Sequence, residues 1–102
     1  MTNSHDDSGA NAFVQQVAAR FRARAAQGSV TQAELAEATG ISQSQVSKIL
    51  RGVRVPDLEQ TWSLCYVLGI DIAAVLAEAD VYVMNRSYEN PTYILDEDGD
   101  RS

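Results

Sequence analysis

Three times in the middle of this sequence a capping residue stands three positions before a glutamate or glutamine, and each time a glycine closes the run that follows. Thr31 precedes Glu34, Ser42 precedes Gln45 and Asp57 precedes Gln60, while Gly40, Gly52 and Gly69 are the stops. In such a box two side chains satisfy two amide groups that a helix start leaves without partners. The glycine then takes the turn that ends the helix. Punctuation this dense predicts short helices opening at Gln32, after Ser42 and after Asp57, and reaching Gly40, about Arg51 and Leu68. Their apolar residues have helical spacing: Leu35, Ala36 and Ala38 in one, Val46, Ile49 and Leu50 in the next. Leu58, Thr61, Trp62, Leu64, Cys65 and Leu68 supply the last. Residues 53–56 make a short connection. A loose helical bundle without a specific turn would not need these signals.

The flanks follow the same logic. Over residues 11–27, Phe13, Val17, Phe21 and Ala25 recur every four positions with Val14 and Ala18 alongside, and Gly28 ends the run. Residues 70–79 read as a short fifth helix, with Ile72, Val75, Leu76 and Ala79 inward. The expected organisation is a disordered tail over 1–10, a domain over 11–80, a β-prone segment over 81–95 and an acidic tail over 96–102. The β-prone segment rests on two runs, 81–84 (Val-Tyr-Val-Met) and 92–95 (Thr-Tyr-Ile-Leu), which would form a hairpin or each pair with a second subunit.

The net charge of -6 argues against nucleic acid, but its distribution does not. Residues 10–56 carry six basic groups (Arg20, Arg22, Arg24, Lys48, Arg51, Arg54) against Glu34 and Glu37. Residues 57–102 hold ten acids and two arginines. A basic segment in an acidic chain keeps a local attractive field, while the acids weaken non-specific phosphate binding. One cysteine excludes an internal disulfide and suits a reduced, cytoplasmic protein. Residues 1–9 lack a signal-peptide profile, and no apolar run is long enough to span a membrane. In this context the glycosylation pattern Asn85-Arg86-Ser87 is read as chance.

Spacing over residues 32–51 carries the functional reading. Two short helices crossing steeply need a small residue where their backbones meet, which is Ala36, and a sharp turn between them, which is Gly40. Val46 and Ile49 then hold the second helix on the first, leaving its amino-terminal residues outward. On residues 31–36 (TQAELA), 39–52 (TGISQSQVSKILRG), 56–59 (PDLE) and 68–70 (LGI), the chain resembles the lambda-repressor/Cro-type, or XRE-type, helix-turn-helix family.

That resemblance spans about residues 11–79. It implies an all-α, five-helix lambda-repressor-like domain, here with a short β-prone carboxy-terminal extension, that binds double-stranded DNA at palindromic operators as a homodimer. It places Gln32 on a DNA phosphate, and Gln43 and Ser44 at base edges. Ser47 and Lys48 lie one turn later on the same exposed side, and Lys48 can also reach a phosphate. Glutamine suits adenine, because its amide donates and accepts at once. Arg51 and Arg54 fall where the family anchors the backbone, with Ser42 at the helix amino terminus doing the same.

There are two departures. Many relatives carry a glutamate just before the arginine-glycine pair, bonded to an arginine of the first helix. That position is Leu50 here, which leaves Arg24 without its expected partner. Ser29 is one extra residue in the first turn.

Blander readings stand beside these. A helix puts Arg20 and Arg24 on one side and Arg22 nearly opposite, so at least two of the three are expected to be simply solvated. Trp62 is expected in core or subunit packing, and Cys65 as an inert buried thiol. His5 is no metal ligand. Without a metal-ligand cluster, phosphate loop or nucleophile–base constellation, no enzyme and no cofactor are expected. The acidic tail is a solubility feature; competition of 96–100 with DNA for the recognition helix is a sharper alternative. The function expected is a phage-type or Cro-like repressor reading the major groove with residues 43–51. The competing reading is an antitoxin whose residues 81–95 bind a toxin while its DNA binding regulates its own operon. A third has the fold serving protein contacts alone.

Overall fold

The computed structural model describes residues 9–89, with side-chain surroundings for 11–85. Within them the chain forms α1 (Gly9–Gln27), α2 (Gln32–Thr39), α3 (Gln43–Leu50), α4 (Leu58–Leu68) and α5 (Ile72–Glu89). Two of the three boxes close fully. The Glu34 amide donates to Thr31 Oγ1 at 3.1 Å while the Thr31 amide donates to Glu34 Oε1 at 2.9 Å. The Gln60 amide donates to Asp57 Oδ1 at 2.7 Å and the Asp57 amide to Gln60 Oε1 at 3.0 Å. The third is half a box: Ser42 Oγ accepts from the Gln45 amide at 3.2 Å, but the Gln45 side chain accepts from Gln60 Nε2 instead. A second helix thus competes for the glutamine that local sequence assigns to the cap.

α1 is the hub, packing against α3, α4 and α5, while α2 packs on α3 and α4. Phe21, Leu35, Val46, Ile49, Leu64 and Val75 are fully buried where these helices meet, with Val17, Ala18 and Ala25 continuing the α1 stripe. Interiors of this kind are close-packed, so losing one large side chain leaves a void that costs several kcal/mol, about 3–5 for a phenylalanine such as Phe21.

Three expectations need correction. α1 begins at Gly9, so the tail expected over 1–10 loses two residues to the helix; residues 1–8 lie outside the described range. Gly28 follows the last residue of α1, as expected, and the left-handed residue of that turn is Ser29 (φ 56). Its amide reaches Ala26 O at 3.2 Å and the Val30 amide reaches Ala25 O at 2.8 Å, the paired bonds of a Schellman ending. In α4 only Thr61, Leu64, Cys65 and Leu68 turn inward; Leu58 and Trp62 are exposed, and Trp62 is not a core residue.

The third correction is the largest. Residues 81–84 are not a strand: α5 runs through them to Glu89. β-branched residues cost a helix only a few tenths of a kcal/mol each, and extending an existing helix needs no new nucleus. No glycine or proline interrupts the chain between Gly69 and Pro91. Val83 is half-buried four positions after the buried Ala79, itself four after the buried Val75, so the inward row of α5 simply continues. The second β-prone run, 92–95, and the acidic tail, 96–102, lie outside the described residues.

Candidate nucleic-acid interface

The α2–α3 pair is rigid because its turn is bonded and plugged. Thr39 Oγ1 donates to Leu35 O at 2.7 Å and accepts from the Ile41 amide at 3.2 Å. Gly40, at φ 80, donates its amide to Ala36 O at 2.9 Å. An L side chain there would sit in a conformation costing about 1–2 kcal/mol. Ile41 drops its buried side chain under the turn, and Leu35 meets Val46 and Ile49 in the core.

At about 100° per residue, the buried positions of α3, Val46, Ile49 and Leu50, leave Ser44 and Lys48 at the centre of its outer face. Both are exposed. Gln43, exposed, and Ser47, half-buried, lie on one flank of that face; Gln45, half-buried and bonded to Gln60, lies on the other. Ser42 is the N-cap and Gln43 the first residue of the helix, so its positive dipole end opens beside them. Gln32, the first residue of α2, is exposed. Arg51 is the C-cap of α3, and Arg54 is in the connection that follows; both are exposed.

The other end of α3 is held by α1, which residue spacing alone does not foretell. Gln15 Nε2 donates to Gly52 O at 2.7 Å, and Arg22 Nη1 donates to Leu50 O at 2.6 Å. A guanidinium at a helix carboxy terminus satisfies an orphan carbonyl and complements the dipole. Leu50, lacking the carboxylate that many relatives carry, is therefore still met by an arginine of the first helix, through its backbone. That arginine is Arg22 and not Arg24. Arg20 pairs with Glu78 of α5 at 3.6 Å, with both side chains well exposed. Of three arginines expected to be mostly solvated, two have partners inside the protein. Gln15, Arg22, Gln45 and Gln60 position α3, and each depends on a contact between residues at least 15 apart in the chain.

The remaining reactive groups are quiet. Cys65 is buried, and burial pushes its thiol above the usual range, with the Asp71 carboxylate adding to the shift. Among the described residues no three His, Cys, Asp or Glu side chains gather to hold a metal ion, and no helix is long and apolar enough to cross a membrane.

The comparisons fit this geometry. Residues 21–75 match the helix-turn-helix family HTH_3. The fold is similar to the crystal structure of the clp gene regulator ClgR from Corynebacterium glutamicum, with a TM-score of 0.64 and 31% identity. That match covers 76% of this chain and 82% of that one. Among curated proteins none matches. With the bonded turn, the outward face of α3 and more than half of the chain inside the family match, the protein belongs to the XRE/Cro-type helix-turn-helix family of DNA-binding transcriptional regulators, which are not enzymes.

Proposed function

We propose that the protein is a repressor of phage or Cro-like type that binds a palindromic operator as a homodimer, each copy laying α3 in a major groove. The observation that supports this most is the outer face of α3, where Gln43, Ser44, Ser47 and Lys48 project on a helix clamped at both ends. Gln43 and Lys48 bring the amide and ammonium groups that pair with adenine and guanine edges, and Ser44 and Ser47 bring hydroxyls that suit either. Gln32, Ser42, Arg51 and Arg54 flank them and contact phosphates. Ser42 Oγ already accepts from the Gln45 amide, and its own hydrogen remains for a phosphate oxygen. In a two-fold dimer the two reading helices enter successive grooves about 34 Å apart, and an operator overlapping a promoter then excludes polymerase.

The test is to incubate the full chain with sheared source DNA, including the region upstream of its own gene, and sequence what is retained. ClgR is described as a clp gene regulator, so fragments upstream of clp genes belong in the pool. The proposal expects enrichment of a short palindrome that is lost with Gln43→Ala/Lys48→Ala. No enrichment at low salt, where phosphate attraction is strongest, sinks it.

A further inference from the structure

α4 carries an apolar row that no other described element covers. Leu58, Trp62 and Tyr66, four residues apart, are 78%, 54% and 72% exposed, although the opposite side of the same helix is buried core. Trp62 and Tyr66 stack face to face, with ring centroids 5.1 Å apart and planes 13° from parallel. Val53 and Val55, in the connection entering α4, are 65% and 68% exposed.

We propose that this row and the two valines are the seam on which a second copy of the chain sits. The inference rests on the homodimer reading above and says where that dimer joins. Area is the first argument. An aromatic side chain brings about 150–250 Å² and an aliphatic one somewhat less, so at these exposures the five side chains present on the order of 600 Å² of apolar surface. A standard interface takes about 800 Å² from each partner, a little over half of it apolar. The α4 row and the connection that enters it together supply that apolar share.

Charge decides against an anionic occupant. Beside the α4 row the charged residues are Asp57 and Glu59, which disfavour a nucleic acid or an acidic membrane there, while Arg54 in the connection is the group assigned above to a DNA phosphate. A second copy brings no more than these same few charges, so a self-complementary contact keeps the seam largely apolar.

Position relative to α3 is the third argument. The Val53 amide donates to Lys48 O at 3.0 Å, so the first residue of the patch is bonded to the reading helix. A seam here ties the spacing of the two α3 helices directly to the dimer. The rival surface is Val81, Tyr82 and Met84 on α5, the helix that replaces the strand expected at 81–84. α5 packs on α1 and α4 but not on α3, so a join there leaves the reading helices less directly coupled.

Trp62 is the chain's single tryptophan, which makes the seam observable without a mutation. Sedimentation velocity of the full chain over a dilution series gives its oligomeric state, and tryptophan emission is read on the same samples. The seam predicts a dimer whose emission shifts to the red as it dissociates. Leu58→Glu/Trp62→Glu should weaken association by about a hundredfold or more, as loss of a hot-spot aromatic does, with an unchanged helical spectrum. Tyr66→Lys is the second variant, and Val81→Glu/Met84→Glu should remain dimeric. A dimer that ignores the α4 substitutions, or whose Trp62 emission does not move on dissociation, overturns the seam and leaves the homodimer reading standing. A wild-type chain that is monomeric both free and on its operator overturns both.

Discussion

Gly52→Ala tests how α3 is held. Gly52 lies at φ 77, and a Cβ placed there would meet Gln15 Oε1 at 2.4 Å and Cδ at 2.8 Å. The obstacle is the flexible end of a side chain, so Gln15 swings away and loses its 2.7 Å bond to Gly52 O. The left-handed conformation costs an L residue about 1–2 kcal/mol and the lost bond about 0.5–1.5, together about 2–3 kcal/mol. At about 4–8 °C per kcal/mol for a domain of this size, Tm should fall by about 10–20 °C. Gly40→Ala is the internal reference. Its φ is 80, but no heavy atom comes within 4 Å of its Cβ, so it carries the conformational cost alone. Thermal and urea unfolding followed by circular dichroism, at matched protein concentration, measures all of these. A double-mutant cycle sharpens the test: Gln15→Ala/Gly52→Ala should cost no more than Gly52→Ala, because both remove the same bond. The reasoning is refuted if Gly52→Ala is no worse than Gly40→Ala, or if the double variant loses the full sum of the singles.

Other substitutions should move in different directions. Ser29→Gly should stabilise the protein by about 0.5–1 kcal/mol in the same unfolding assay, because glycine relieves the left-handed residue that ends α1. Arg22→Met keeps the aliphatic stem but frees Leu50 O; it should lower operator affinity without changing the salt slope, since no phosphate contact is removed. Arg51→Ala should weaken all DNA sequences alike and reduce the salt slope by about one, read from binding isotherms over a salt series. Cys65 should react with a thiol reagent only as fast as the protein unfolds. Its folded thiol lies above the unfolded value, so the stability it contributes is present below the unfolded value and is lost as pH rises through the folded one. Tm should therefore fall more steeply in the alkaline range for the wild type than for Cys65→Ala.

Residues adjacent in the chain carried most of the fold. Thr31 with Glu34 and Asp57 with Gln60 close their boxes within one turn, and Gly40 meets a purely local demand for a left-handed turn. Periodicity marked Val17, Phe21, Leu35, Val46, Ile49 and Leu64 as inward, and each is buried. The outward placement of Ser44 and Lys48 was legible for the same reason, since the buried stripe of α3 assigns its opposite face. Local reading failed where distant parts of the chain compete. Gln45 leaves its box for Gln60, and Arg22 goes to Leu50 O rather than to water.

At residues 81–84 local preference gave way altogether, because weak β-propensity is outweighed by a helix already nucleated and docked on α1. The exposure of Leu58 and Trp62 has the same origin, since helical spacing lists the apolar residues but only packing decides which row finds a partner. By itself the sequence determined where the capped helices α2, α3 and α4 start and stop and that they form a helix-turn-helix, because caps, turns and a helix's own periodicity act within a few residues. The tertiary structure decided what clamps α3 and which apolar row faces outward, because those depend on side chains that only packing brings together.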